Sequence, residues 1–244
     1  NYNDIDKLSE IITKDKQVGI IKMEVERDQK PNKGFLKKVR KLADDNGIIL
    51  IFDECTSGFR ETFGGLHLKY NVVPDIAMFG KALGNGYAIT AVVGKKEFMK
   101  FTKETFISST FWTERIGPTA GIATLEEMEK LKAWEKISEI GRFIKKEINK
   151  IAIKNEIRIQ FSGLDPLITF KFDKKNHDLF TKFLTSEMLK NGFLAKNSLY
   201  VSMSHSKTLI KKYLYYLNET FIKISKFDSA KLIEILREDL SLKK

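Results

Sequence analysis

The sequence has little of what would staple a fold, bind a structural metal or enter a membrane. Its one cysteine, Cys55, excludes an internal disulfide framework, and no Cys/His cluster exists from which a zinc site could be built. A reducing cytoplasm is the expected setting. Four prolines, no low-complexity tract and no internal repeat exclude collagen-like, linker-like and solenoid chains. No run of about 18 apolar residues occurs. The opening stretch NYNDIDKLSE also lacks the basic and apolar regions of a secretory signal, so no membrane partner is expected. No methionine opens the chain, and Asn1 leads straight into a helix-like segment. The expectation is a piece of a longer protein.

What is present suits a globular chain: 244 residues, 42% of them apolar, can bury a core as one large or two modest domains. The formal charge of +11 raises the question of nucleic acid, because clustered Lys and Arg neutralise phosphates. The distribution answers it. Lysines fall in pairs (Lys37-Lys38, Lys145-Lys146, Lys211-Lys212) among glutamates and apolar residues, as on solvated helix faces. No nucleic-acid partner is expected, and the charge serves at most to attract anionic metabolites.

The first half alternates helical and short apolar patterns, which predicts an α/β layer with a parallel sheet. Helices are expected over Asp4–Thr13 and Gly34–Asp45, the latter stopped by Asn46-Gly47. Strands are expected over Val18–Val25, Ile48–Phe52, Ile76–Phe79 and Ile89–Val93. The continuous run IILIF predicts a strand buried on both faces. From Arg115 to about Ile153 the pattern is helical throughout. The remainder predicts a smaller α+β domain: strands Ile157–Phe161, Leu167–Phe172 and Leu199–Met203, a helix Leu179–Lys190 and a long terminal helical region. The expected division is 1–132 and 133–244.

Two of these strands end on charge: Ile48–Phe52 runs into Asp53, and Ile76–Phe79 runs through Gly80 into Lys81. Open α/β sheets bind ligands at strand carboxyl ends. Taken singly, Asp53 reads as a turn or cap residue and Lys81 as a lysine that reaches solvent. Taken together they match one chemistry: an amine that forms a Schiff base and a carboxylate that keeps a pyridine nitrogen protonated.

The segment GIILIFDECTSGFRETFGGLHLKYNVVPDIAMFGKALGNGYAITAVVGKKEFM resembles the core of class III, fold-type I aminotransferases that use pyridoxal 5′-phosphate (PLP), in particular glutamate-1-semialdehyde aminomutase and its relatives. VGIIKMEV, GFLKKVRKLADDNG, ISSTFWTERIGPTAGIATLEEM and GFLAKNSLYVSMSHS are similar to flanking parts of the same family. The resemblance implies that residues 1–132 are the C-terminal part of the PLP-binding large domain, a mainly parallel sheet with flanking helices, and that 133–244 form the small domain. It implies that Lys81 carries the cofactor and shuttles the substrate proton, while Asp53 pairs with the ring nitrogen. Cys55 would pack under the ring as an apolar filler, and Thr56 would lie near the ring hydroxyl. Ser109 and Thr110 would offer donors to the phosphate of a neighbouring subunit, which implies a homodimer; Thr113 is the rival for Thr110. Glu24 matches a glutamate near the site, although Val25 stands where the family has proline. Arg60 and His205 are candidates for the substrate mouth.

The resemblance also implies a small-molecule amino donor and a keto or aldehyde acceptor, with transfer either between molecules or within one. The family's phosphate-cradling loop and ring-stacking aromatic have no counterpart before Gly19. The 244 residues alone are therefore expected to bind PLP poorly. A different reading is a non-catalytic basic remnant of the same fold, which predicts no cofactor chromophore and salt-dependent binding of nucleic acid. A third, a PLP decarboxylase or racemase, predicts products without a transferred amino group.

Overall fold

The helix and strand patterns of the first half fold into alternating layers. In the computed structural model, which describes residues 1–108, 110, 113–172 and 177–241, helix α1 spans Ile5–Lys14. The Asp4 carboxylate caps it by accepting the Lys7 backbone N–H, a donor the helix itself cannot satisfy. Strand β1 (Ile20–Glu24) follows, then α2 (Phe35–Asp45), which buries Phe35, Leu36, Val39 and Ala43 on one face. Strand β2 is Ile49–Asp53, the short helix α3 is His67–Tyr70, β3 is Ile76–Phe79, β4 is Ala91–Gly94 and α4 is Lys96–Met99. The sheet order is β1-β2-β3-β4. β1, β2 and β3 run parallel, with Glu24 opposite Asp53 and Asp53 opposite Met78.

The sheet is mainly parallel with one antiparallel edge pair, and one expectation for its strands is corrected. β4 pairs antiparallel with β3: the eleven-residue link between them, residues 80–90, carries a 3₁₀ turn over Lys81–Leu83 and no crossover helix of the kind that usually returns a strand in parallel. β2 is not equally buried on both faces: Leu50 and Phe52 are fully buried while Ile49, Ile51 and Asp53 are only partly so. Side chains that alternate across a strand meet different neighbours on its two sides.

The region expected to be helical from Arg115 to Ile153 is two helices, α5 (Ile116–Leu131) and α6 (Ala133–Lys154). Lys132 separates them in a left-handed conformation, φ +48°. Cα packing divides the chain into units Asn1–Glu135 and Lys136–Lys244. In the first unit, the Trp134 ring lies 5.1 Å from that of Phe63.

The second unit holds an antiparallel sheet in the order β5-β6-β7, formed by Ile159–Ser162, Leu167–Phe172 and Ser198–Tyr200. With it go α7 (His177–Lys190), α8 (Lys207–Lys226) and α9 (Ser229–Ser241). Ser206 caps α8 by accepting the Leu209 N–H, which is why the terminal helical region starts where it does. A core that includes Phe170, Phe172, Phe183, Leu184, Met188 and Phe221 fills this unit.

Candidate active site

Parallel register brings the two strand-end charges to one edge of the first sheet. Asp53 ends β2 beside Met78, and Lys81 follows β3 after a single glycine. Lys81 adopts φ +47°, a left-handed conformation that costs a side-chain-bearing residue about 1–2 kcal/mol. Such strain gathers at functional positions. Its Nζ donates a 2.7 Å hydrogen bond to Thr56 Oγ1, and Thr56 is buried. Gly80 packs beside the site: a Cβ there would make ordinary van der Waals contact with Thr90 Cγ2 at 3.4 Å and Cys55 Sγ at 3.6 Å.

Asp53 is held ionised. Partial burial works against its charge, but the Cys55 backbone and thiol and the Lys22 ammonium hydrogen-bond to it and leave its pKa below the ordinary aspartate value. Its Oδ1 accepts the Cys55 N–H at 3.2 Å, and its Oδ2 lies 3.1 Å from Lys22 Nζ. Burial and the neighbouring Asp53 push the Cys55 thiol up against the opposing pull of Lys81 and Lys22. A protonated thiol is a weak nucleophile, in keeping with packing rather than chemistry.

The loop after β2 is locked from beneath. Glu54 is fully buried and accepts hydrogen bonds from Ser57 Oγ at 2.5 Å and from the His67 backbone N–H at 2.9 Å. His67 Nδ1 lies 2.9 Å from the same carboxylate oxygen, and since a carboxylate only accepts, that nitrogen carries the hydrogen. Burial raises the Glu54 pKa, but these donors outweigh it and bring it below the usual glutamate value. Gly58 is required here, because a Cβ would stand 2.7 Å from both the Glu54 carbonyl oxygen and Phe79 Cδ1.

The structure thus gathers Asp53, Cys55, Thr56 and Lys81. Thr110 and Thr113 lie exposed ahead of α5; among the described residues neither hydrogen-bonds to Lys81 or Asp53. Ser109 falls outside the described residues. Glu24 stands opposite Asp53 in the register and pairs with Arg27 at 3.3 Å. Arg60 is partly buried in the loop after β2, its N–H donating to the Ser57 carbonyl. His205 belongs to the second unit, where its Nδ1 accepts the Ser202 N–H at 3.1 Å.

Two features escaped sequence reasoning. Lys22 had a signal: it is the one cation in VGIIKMEV and shares a strand face with Glu24. The contact of Glu54 with His67 had none, because it joins residues across a loop of no regular period.

An ionised carboxylate at one strand end and an amine, held by a hydroxyl, at the next suit an aldehyde cofactor with a basic ring nitrogen. Such a cofactor points to the PLP-dependent class of folds. The aminotransferase class-III profile matches residues 28–212, and the chain belongs to that family, whose cofactor is PLP. It is 37% identical over 206 residues to the 3-aminobutyryl-CoA aminotransferase of Cloacimonas acidaminovorans, covering 80% of this chain and 50% of that protein. With the glutamate-1-semialdehyde 2,1-aminomutase of Ignicoccus hospitalis it shares 29% identity over 211 residues, again 80% and 50% of the two chains. The fold superposes on the FumI protein of Sphingopyxis with a TM-score of 0.86 at 19% identity, covering 93% of this chain and 58% of that one. The chain spans about half the length of the curated relatives it matches.

Proposed function

We propose that this chain supplies Lys81 and Asp53 to a PLP-dependent transfer of an amino group from a small-molecule donor to a keto or aldehyde acceptor, carried out by the full-length protein. The observation that carries the reading is the pair itself: an ionised Asp53 and an amine at Lys81, at the carboxyl ends of adjacent parallel strands. When bound, PLP supplies an electron sink for the charge left on a deprotonated substrate carbon. Asp53 keeps the ring nitrogen protonated, which gives that sink its strength. Lys81 would hold the cofactor through its amine, and its free amine would accept the proton from the substrate carbon and carry it as an ammonium until it is given back to the product. Thr56 orients the Lys81 amine, and Cys55 fills space beside Asp53. Donors from Ser109 and Thr110 act on a neighbour's cofactor phosphate, which makes the working unit a homodimer.

The dimer reading is supported by the segment that precedes Thr110, where Phe106 is 93% exposed and Ile107 49%; apolar side chains left this open suit burial against another copy. A cytoplasmic location belongs to the same proposal and rests on the unpaired Cys55 thiol. No helix among the described residues is long and apolar enough to cross a membrane. The matched relatives include both an aminotransferase and an aminomutase, so the proposal is amino-group transfer in either form. The test follows nitrogen. Full-length protein loaded with PLP is given an isotopically labelled amino donor and a panel of keto and aldehyde acceptors. Label should reach an acceptor, and a protein that binds PLP yet transfers none would contradict the reading.

A further inference from the structure

Asp53 already has a cation beside it. Lys22 reaches its Oδ2 at 3.1 Å from β1, with about half of the lysine side chain open to solvent and a quarter of the aspartate's. The strand geometry explains the meeting: β1 and β2 are parallel and in register, Lys22 opposite Ile51 and Glu24 opposite Asp53, and residues 20, 22 and 24 share a face. Glu24, the acid next along that face, is engaged with Arg27. Among the described residues the ion-pair partner of Lys22 is therefore Asp53. A lysine at the centre of a mostly apolar strand forgoes the packing a β-branched residue would give, and the site it overlooks is the one where the proposed chemistry needs a free carboxylate.

We propose that Lys22 is the resting counter-ion of Asp53. It pairs with the carboxylate and orients it when no ring nitrogen is present, and it opposes the positive ring nitrogen when the cofactor binds. The inference rests on the proposed function. Two cations that draw on one carboxylate repel each other, so each weakens the other's hold. Lys22 acts through Asp53 and is a positioning residue. Because the pair is partly exposed, the effect is modest and sensitive to salt.

The experiment is an equilibrium titration of the full-length apoprotein with PLP, followed by absorbance, for the wild type, Lys22→Met, Lys22→Gln and Lys22→Arg. Both neutral variants should bind PLP about three- to fivefold more tightly at low salt. The gain should shrink at about 0.5 M salt, where charges are screened within a few ångströms. Lys22→Arg should titrate like the wild type, and in an Asp53→Asn background the neutral variants should show no gain. Unchanged or weaker binding in both neutral variants overturns the role of Lys22, as does an equal gain without Asp53. Wild-type protein that is folded but binds no PLP would instead remove the proposed function, and this inference with it.

Discussion

The two units of the chain use their buried groups differently. The second unit is held by aromatic packing: Phe170 lies within 6.3 Å, ring to ring, of Phe161, Phe172 and Phe221, and Phe172 within 5.7 Å of Phe180 and Phe221. Its buried acid, Glu187, pairs with Lys190 on its own helix, α7, and with Lys223 on α8. In the first unit the buried acids fix loops at the ends of strands. Glu54 holds the turn that follows Asp53, while Asp75 accepts the Leu50 N–H and pairs with Arg40 and Lys95, tying β2, α2 and the end of β4 together. One unit packs to be stable; the other places polar groups to be exact about where two charges stand.

Substitutions should separate these uses. Lys81→Ala should lower amino transfer by about a thousandfold or more, since it removes both the cofactor's attachment and the proton-transfer group, while leaving the urea midpoint nearly unchanged. Phe170→Ala should do the reverse, costing about 3–5 kcal/mol in urea unfolding through the cavity it opens, with the cofactor chromophore retained wherever the protein stays folded. Glu54→Gln tests whether stability and placement meet in one residue. It should cost about 1–3 kcal/mol, because the Ser57 and His67 donors lose a charged acceptor. It should also alter the acid limb. The Glu54 pKa is lowered on folding, so the ionised carboxylate contributes its full stability above the ordinary glutamate range and loses it as pH falls through the lowered folded value. The glutamine variant should lack that part of the decline. The smallest effect is expected for Thr56→Val, which keeps the side-chain shape but removes the hydroxyl that accepts from Lys81: the rate of cofactor attachment should fall about three- to tenfold without measurable loss of stability.

The sequence disclosed those parts that local chemistry writes directly. The placement of Asp53 and Lys81 at the ends of neighbouring strands was readable because each follows a short apolar run, and strand carboxyl ends are a sheet's ligand-binding edge. The break at Lys132 was hidden, because a lysine in the left-handed region carries no glycine or proline to mark it. Lys22 passed unnoticed because its partner comes from the neighbouring strand, and register across a parallel pair is not legible from either strand by itself. The Glu54, Ser57 and His67 contacts are made within an irregular loop, whose path no sequence period writes.

The proposed role of Lys81 as the cofactor's attachment point can be tested directly. Full-length protein should show a visible absorbance band with PLP, lose it on borohydride reduction, and yield one pyridoxyl-modified peptide, containing Lys81. Modification of Lys22 or any other lysine in its place, or a folded protein with no such band, would contradict the account.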